Sequence, residues 1–392
     1  MPVPTFLRGL IRTTPTLAPI HGRSILSVSG SQATEFLNGL LTTSLSARPC
    51  FSSFLHAQGR VLHDVFVYTQ PASSAGQQSY LIEHDKDSGE TPALISLLKR
   101  YVLRSKVRIR DVSEEYSVWA AWGSETSGDV KKEWTFARSG AIEPVWDTKS
   151  GQWPWGTEHS VLYDRRAPGM GRRILVAKGD TRKYRRSYNL NHSDFCPAVA
   201  SQASTHETKA SDAYLLHRIM HGVPEGSFDI QPMQAFPMES NLDVMGGLDF
   251  RKGCYVGQEL TVRTYHTGAV RKRILPVVVG SNPSSSQNAV SPELPSHLPI
   301  RPSVLENSAD PNAPRTPRPR GNGTLFSTLR IPEHGIDIGL GLLRLEQVEA
   351  AEQGNIELVV EVEGAEENKR RLGVKHWWPD WWPTQNHDEV QI

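Results

Sequence analysis

DFRKGCYVGQELTVRTYHTGAVRKR, residues 249–273, is the most informative segment of the chain. Gly253 and Gly257 bracket Cys254 and let the backbone there turn tightly and stay exposed. Arg251 and Lys252 stand beside the thiol, and cationic neighbours lower a thiol pKa and favour thiolate. Thiolate is the form that binds soft iron or attacks an electrophile. A free cysteine also serves as a small buried hydrophobe, and the residue types alone leave both readings open. Cys50 and Cys196 lack such surroundings and read as core or incidental. Three scattered cysteines without a C-x-x-C argue against a disulfide framework and a self-contained zinc site, and for a reducing compartment.

Outward from that segment, 392 residues give room for two or three domains with a sizeable core. The formal charge of +1 gives the whole chain no bulk pull toward nucleic acid or an anionic membrane. No apolar run approaches the ~20 residues that span a bilayer. The first acidic residue is Glu35; Arg8, Arg12 and several threonines precede it, with Phe6, Leu7, Leu10 and Ile11 on one helical face. Basic, hydroxylated and acid-free, residues 1–17 read as a mitochondrial transit peptide.

Residues 20–29 read as a strand, followed by a helix with Ser29 and Gln32 at capping-box spacing and Phe36, Leu37, Leu40 and Leu41 as its apolar stripe. Residues 61–68 (VLHDVFVY) read as a buried strand interrupted by His63 and Asp64, and 106–112 as another. The spacing predicts a helix over 91–104 with Thr91 at the N-cap and Pro92 at N1. A further helix covers 211–221 and stops at Gly222. Residues 281–323 are rich in Pro, Ser and Asn without apolar period, and read as a disordered, dispensable insertion. Strand character returns at Ile338–Leu345 and Ile356–Glu363. The order suggests an α+β body followed by a small β-domain.

Other polar positions carry two readings each. A carboxylate inside an apolar strand, as at Asp64, costs several kcal/mol unless it meets a polar ligand or an internal arginine. Arg218 in HRIMHGVPE belongs to a ligand site or a local pair, and ESNLD at 239–243, with Glu239 and Asn241, to a ligand rim or a turn network. The basic run Arg172, Arg173, Lys178, Arg182, Lys183, Arg185 and Arg186 could touch RNA phosphates, though a solvated loop is the plainer reading and nucleic acid is not an expected partner. Eight glutamates at 346–367 read as a solvated face. Trp377, Trp378, Trp381 and Trp382 are expected to dock on the body, since left exposed they would aggregate.

KGCYVGQE at 252–259 resembles the K-G-C-Y-[IV]-G-Q-E signature of the iron–sulfur cluster assembly factors related to aminomethyltransferase, the T-protein of glycine cleavage. FLNGLLT (36–42), HAQGRVLHDVF (56–66), LKRYVLRSKVRI (98–109), HRIMHGVPEG (217–226), NLDVMGGLDF (241–250) and LGLLRLE (340–346) agree in the family's order. The resemblance covers roughly 18–280 and 324–350 and, with the presequence, points to a mitochondrial matrix branch. It implies a three-domain, aminomethyltransferase-like folate-binding fold with a C-terminal β-barrel. The implied division is transit peptide 1–17, a two-part body 18–268, a barrel domain 269–374 interrupted by 281–323, and a tryptophan-rich tail 375–392.

The implied function is late maturation of [4Fe-4S] enzymes such as aconitase-type and radical lipoate- and biotin-making clients, in partnership with A-type scaffold proteins. Tetrahydrofolate is the expected ligand. By the same resemblance Cys254 is cluster ligand or redox thiol, with Lys252, Gln258 and Glu259 around it; Asp64, Arg60, Arg218, Glu239 and Asn241 are the folate candidates. One cysteine cannot complete a cluster that needs about four ligands, so a transient bridged cluster shared with a partner is expected. The family's acidic pair falls on His63-Asp64, which removes one carboxylate and weakens a one-carbon transferase reading. A tRNA-modification role would need the 172–188 basic run.

Overall fold

The computed structural model describes residues 1–11, 13–46, 48–72, 77–87, 89, 92–123, 132–146, 153–178, 207–280, 294–304, 321–363 and 369–384. The chain opens with a helical turn, α1 (Thr5–Arg8), and a strand, β1 (Thr16–Ile20). The first layer is β2 (Arg23–Ser29), α2 (Ala33–Asn38), β3 (Cys50–Leu55), β4 (Val61–Gln70), β5 (Ser79–Asp85), α3 (Leu94–Val102) and β6 (Arg108–Asp111). Its strands form one antiparallel sheet in the order β3-β4-β5-β2-β6. β7 (Tyr116–Trp122), the hairpin β8 (Lys132–Phe136) and β9 (Ile142–Trp146), β10 (Val161–Tyr163), β11 (Arg172–Ala177) and β12 (Glu207–Thr208) follow. β1 leaves the first layer to join this second sheet, ordered β10-β11-β7-β1-β12.

The stretch read as one strand over 20–29 is therefore two, parted at His21-Gly22, where Gly22 takes a positive φ of 76°. The capping box does not form: Gln32 instead accepts a hydrogen bond from the Lys106 amide at 2.7 Å. The stripe it was to cap is nonetheless buried, Phe36, Leu37, Leu40 and Leu41 all lying in the main core. The 94–102 helix starts later than its sequence suggests, with Ala93 at its N-cap; Thr91 lies outside the described residues.

Short helices α4 (Ser211–Met220), α5 (Gly226–Asp229) and α6 (Gln258–Thr267) lead to a closed barrel. It consists of β13 (Lys272–Gly280), β14 (Pro299–Val304), β15 (Gly323–Ile331), β16 (Ile336–Arg344), β17 (Ile356–Glu363) and β18 (Lys369–His376), with α7 (Leu345–Glu352) between β16 and β17. The order is β13-β16-β15-β14-β17-β18. Residues 281–323 are thus not one dispensable insertion. β14 lies inside them, bridges β15 and β17, and buries Ile300 completely. Without it the barrel has two open edges.

Among the described residues of 1–17, Val3, Leu7, Thr16 and Leu17 are buried. Val3 and Leu7 are buried against Ile219 and Met220 of α4, Phe326, Ile338 and Trp377. A boundary at residue 17 would fall inside β1. The tryptophan tail docks as expected: Trp377 is fully buried, and the Trp381 indole donates to His221 O at 3.0 Å.

Candidate functional site

Cys254 is exposed. Its loop is fixed on both sides. The Asp249 amide donates to Thr42 O at 3.0 Å and the Val256 amide to Gly39 O at 3.1 Å. Tyr255 is buried, and its amide donates to the Gln258 side chain at 3.2 Å. Gly257 caps α6 at φ 83°; a Cβ there would stand 2.3 Å from His56 O, so a side chain cannot be accommodated. At Gly253 a Cβ would meet nothing within 4 Å, and the contribution of this glycine is open space beside the thiol. The chain thus pins residues 249–252 and 255–258 and leaves Cys254 at the tip.

The two cations expected to polarise the thiol have other partners. The Lys252 ammonium donates to three carbonyls, Leu41 at 2.6 Å, Asn38 at 2.9 Å and Thr43 at 3.2 Å. Burial pulls its pKa down to about 8. Arg251 pairs with Glu143 at 3.4 Å. Gln258 braces the loop and Glu259 faces solvent. Lys252 is therefore a clamp. Among the described residues no group of three or more His, Cys, Asp or Glu side chains is placed to hold a metal ion.

Asp64 is buried, 2% exposed, and it has an internal arginine: Arg23 lies 3.7 Å from its Oδ2. The Gly226 amide donates to Oδ1 at 3.2 Å. Burial raises the Asp64 pKa, and Arg23 opposes it only in part. Oδ2 of Asp64 and both terminal nitrogens of Arg23 have no hydrogen-bond partner. Buried orphans of this kind mark a place for water or a polar ligand.

Arg23 also belongs to a larger ion network. Its Nε donates to Glu83 at 2.8 Å, Arg173 bonds Glu83 and Glu225, and Arg166 bonds Asp164 and lies 2.8 Å from Glu225. Burial pushes the Glu83 and Glu225 carboxyls up, but the arginines prevail and hold both below the ordinary value. Arg173 is thus a core residue and no RNA contact, and residues 182–188 of the basic run lie outside the described residues.

The remaining folate candidates do not gather at Asp64. Arg60 donates to Gln234 O and lies over the Phe236 ring at 3.5 Å. Arg218 pairs with Asp229 and donates to Ser327 Oγ at 3.0 Å, tying α4 to the barrel. Asn241 donates to Ile274 O at 2.6 Å. Glu239 lines a separate cavity of about 160 Å³ with Phe236, Leu260 and Thr264. Sequence reading missed Arg23, Glu83 and Glu225. Glu225 stood inside a quoted motif, but nothing local links Arg23 to a carboxylate 41 positions away, and only strand pairing brings them together.

Comparison with known proteins agrees with this layout. Residues 271–384 match the CAF17 C-terminal β-barrel domain, a span that takes in β14 and the tryptophan tail. A mitochondrial iron-sulfur cluster assembly factor IBA57 homolog from Cryptococcus neoformans is 38% identical over 347 residues, covering 86% of this chain and 85% of the relative. One from Mycosarcoma maydis is 32% identical, covering 95% and 85%. The chain belongs to the mitochondrial IBA57 family. Family membership places it in the mitochondrion, with the matrix the expected compartment. The glycine cleavage aminomethyltransferase T from Bartonella henselae shares the fold at TM-score 0.53 and 14% identity, covering 94% of this chain and 87% of its own. The aminomethyltransferase-like fold with a C-terminal β-barrel expected from sequence is the one observed.

Proposed function

We propose that this IBA57-family chain is an assembly factor for mitochondrial iron–sulfur proteins that acts late, on [4Fe-4S] clients, by sharing a cluster with an A-type scaffold through Cys254. The observation that carries the reading is an exposed thiol at the tip of a loop whose flanks are clamped. Its relatives are named for iron-sulfur cluster assembly. A single thiolate supplies one of about four ligands, so the other cysteines come from the partner or from small thiols. The clamp holds the thiol in place for an incoming scaffold without further ordering of the loop, which lowers the entropic cost of binding. The test is anaerobic reconstitution of the chain with an A-type scaffold, comparing native protein with Cys254→Ser. The serine variant should fold and lose the bridged cluster; retention of the cluster contradicts the reading.

We propose further that tetrahydrofolate is held at Asp64 and Arg23. The orphaned acceptor on Asp64 and the orphaned donors on Arg23 match the alternating N–H and acceptor edge of a pterin. Folate carries one-carbon units when bound; no step of the cluster-sharing reading runs through it. Asp64→Asn should weaken folate binding by roughly 1–3 kcal/mol in calorimetry, the usual effect of stranding a buried partner. Equal affinity for both proteins rejects the site.

A further inference from the structure

Between Leu98 and Arg110 the chain carries six cations and no acid: Lys99, Arg100, Arg104, Lys106, Arg108 and Arg110. All six are exposed. Of these six, Arg110 alone forms an ion pair among the described residues, with Glu115 at 3.4 Å. The chain as a whole has a formal charge of +1, so this is charge segregated onto one tip.

Two apolar side chains stand within it. Leu103 is 88% exposed and Tyr101 37%. Leu103 also takes a positive φ of 42°, which a leucine adopts at a cost. It is held there at the end of α3, and its side chain gains nothing from water.

This tip and the Cys254 loop are joined by one short helix. The Lys106 amide donates to Gln32 at the N-cap of α2, and Lys252 and the Val256 amide bond the carbonyls of Asn38 and Gly39 at its other end. Six residues of helix span about 9 Å. Ser31, Glu35 and Gly39, at four-residue spacing, form an exposed strip from one loop to the other. Glu35 is the one carboxylate on it. A standard interface covers about 800 Å² per partner, a disc of roughly 16 Å radius, wide enough for both features.

Resting on the cluster-sharing reading above, we propose that the Lys99–Arg110 tip is the docking surface for an acidic face of the scaffold that meets Cys254, with Leu103 and Tyr101 as its apolar anchors. The cations steer the encounter and set the orientation, and the anchors hold the complex. RNA is disfavoured because Leu103, the more exposed of the two apolar side chains, neither stacks on a base nor hydrogen-bonds to one, which leaves Tyr101 as a single stacking face. An anionic membrane would also attract the cations, but would not account for their place beside the thiol loop.

The test is titration of the full chain with an A-type scaffold whose cysteines have been alkylated, so that no cluster can form. Arg100→Glu combined with Arg104→Glu should weaken binding at least about tenfold at low salt and flatten its salt dependence, with melting temperature unchanged. Leu103→Ser should weaken it several-fold. Unchanged affinity in both variants overturns the surface. So does absence of binding by the native chain, or loss of binding to anionic vesicles with scaffold binding intact. A native scaffold that fails to form a bridged cluster, while the alkylated one binds as described, removes the cluster-sharing reading and leaves the surface standing.

Discussion

The Lys252 ammonium lies 2.6 Å from the carbonyl oxygen of Leu41. The lysine two residues before the thiol therefore holds the loop against the end of α2, with Asn38 and Thr43 as its other acceptors. Replacing Lys252 by Met strands three carbonyls and should cost about 1–3 kcal/mol, read as a lower urea midpoint. Cys254→Ser, at an exposed site, should stay within about 0.5 kcal/mol. Equal midpoints for Lys252→Met and the native chain would show that the clamp holds nothing.

His63 and His84 stand with ring centroids 5.7 Å apart. Burial pulls His63 down to about 3 and His84 down to about 4, from an ordinary value of 6.5. The unfolded chain takes up both protons near pH 6.5, while the folded chain resists until about pH 4 and then pH 3. Their contribution is complete above pH 6.5 and is lost as the pH falls through that window. Each differing proton changes stability by about 1.4 kcal/mol per pH unit. His84→Gln should therefore show a shallower fall in urea midpoint between pH 6.5 and pH 4 than the native chain. Parallel curves contradict the assignment.

Ile300 lies fully buried in β14, between β15 and β17. Ile300→Ala should cost about 2–5 kcal/mol, by lost burial and a residual cavity. A near-neutral effect in thermal melts would mean that the barrel closes without this strand.

Much of the architecture was legible because it rests on local pattern. The Phe36–Leu41 stripe, the buried 61–68 strand, the stop at Gly222 and the strands at 338–345 and 356–363 all follow from apolar period and backbone chemistry within one segment. β14 was hidden by Pro299 and Pro302, which read as breakers. It survives because the barrel supplies partners on both sides. The site was half legible. KGCYVGQE marked the loop, but where the Lys252 ammonium points is decided by α2, more than 200 positions earlier. Asp64 was marked by its apolar strand, while Arg23 came from a separate strand in which nothing local pointed to a carboxylate partner.

Leu7 is fully buried beside Met220 and Phe326. Leu7→Asp should destabilise the full chain by about 2–5 kcal/mol, since an unpaired carboxylate replaces a core contact. Cleavage after residue 17 would also remove Thr16 and Leu17, which pair with β7 and β12. Mass spectrometry of the matrix protein should therefore find its N-terminus at or before residue 15. A start beyond residue 17 would show that β1 is dispensable.

In the proposed function, Cys254 is the point at which a cluster is shared with the scaffold. Mössbauer spectroscopy of the chain reconstituted anaerobically with an ⁵⁷Fe-loaded A-type scaffold reads that sharing at the iron itself. The expected result is a cluster signal that co-elutes with the heterocomplex for the native chain and is absent for Cys254→Ser, while Cys50→Ser retains it. A serine variant at 254 that elutes with the same cluster and scaffold would refute the sharing and leave Cys254 without a ligand role.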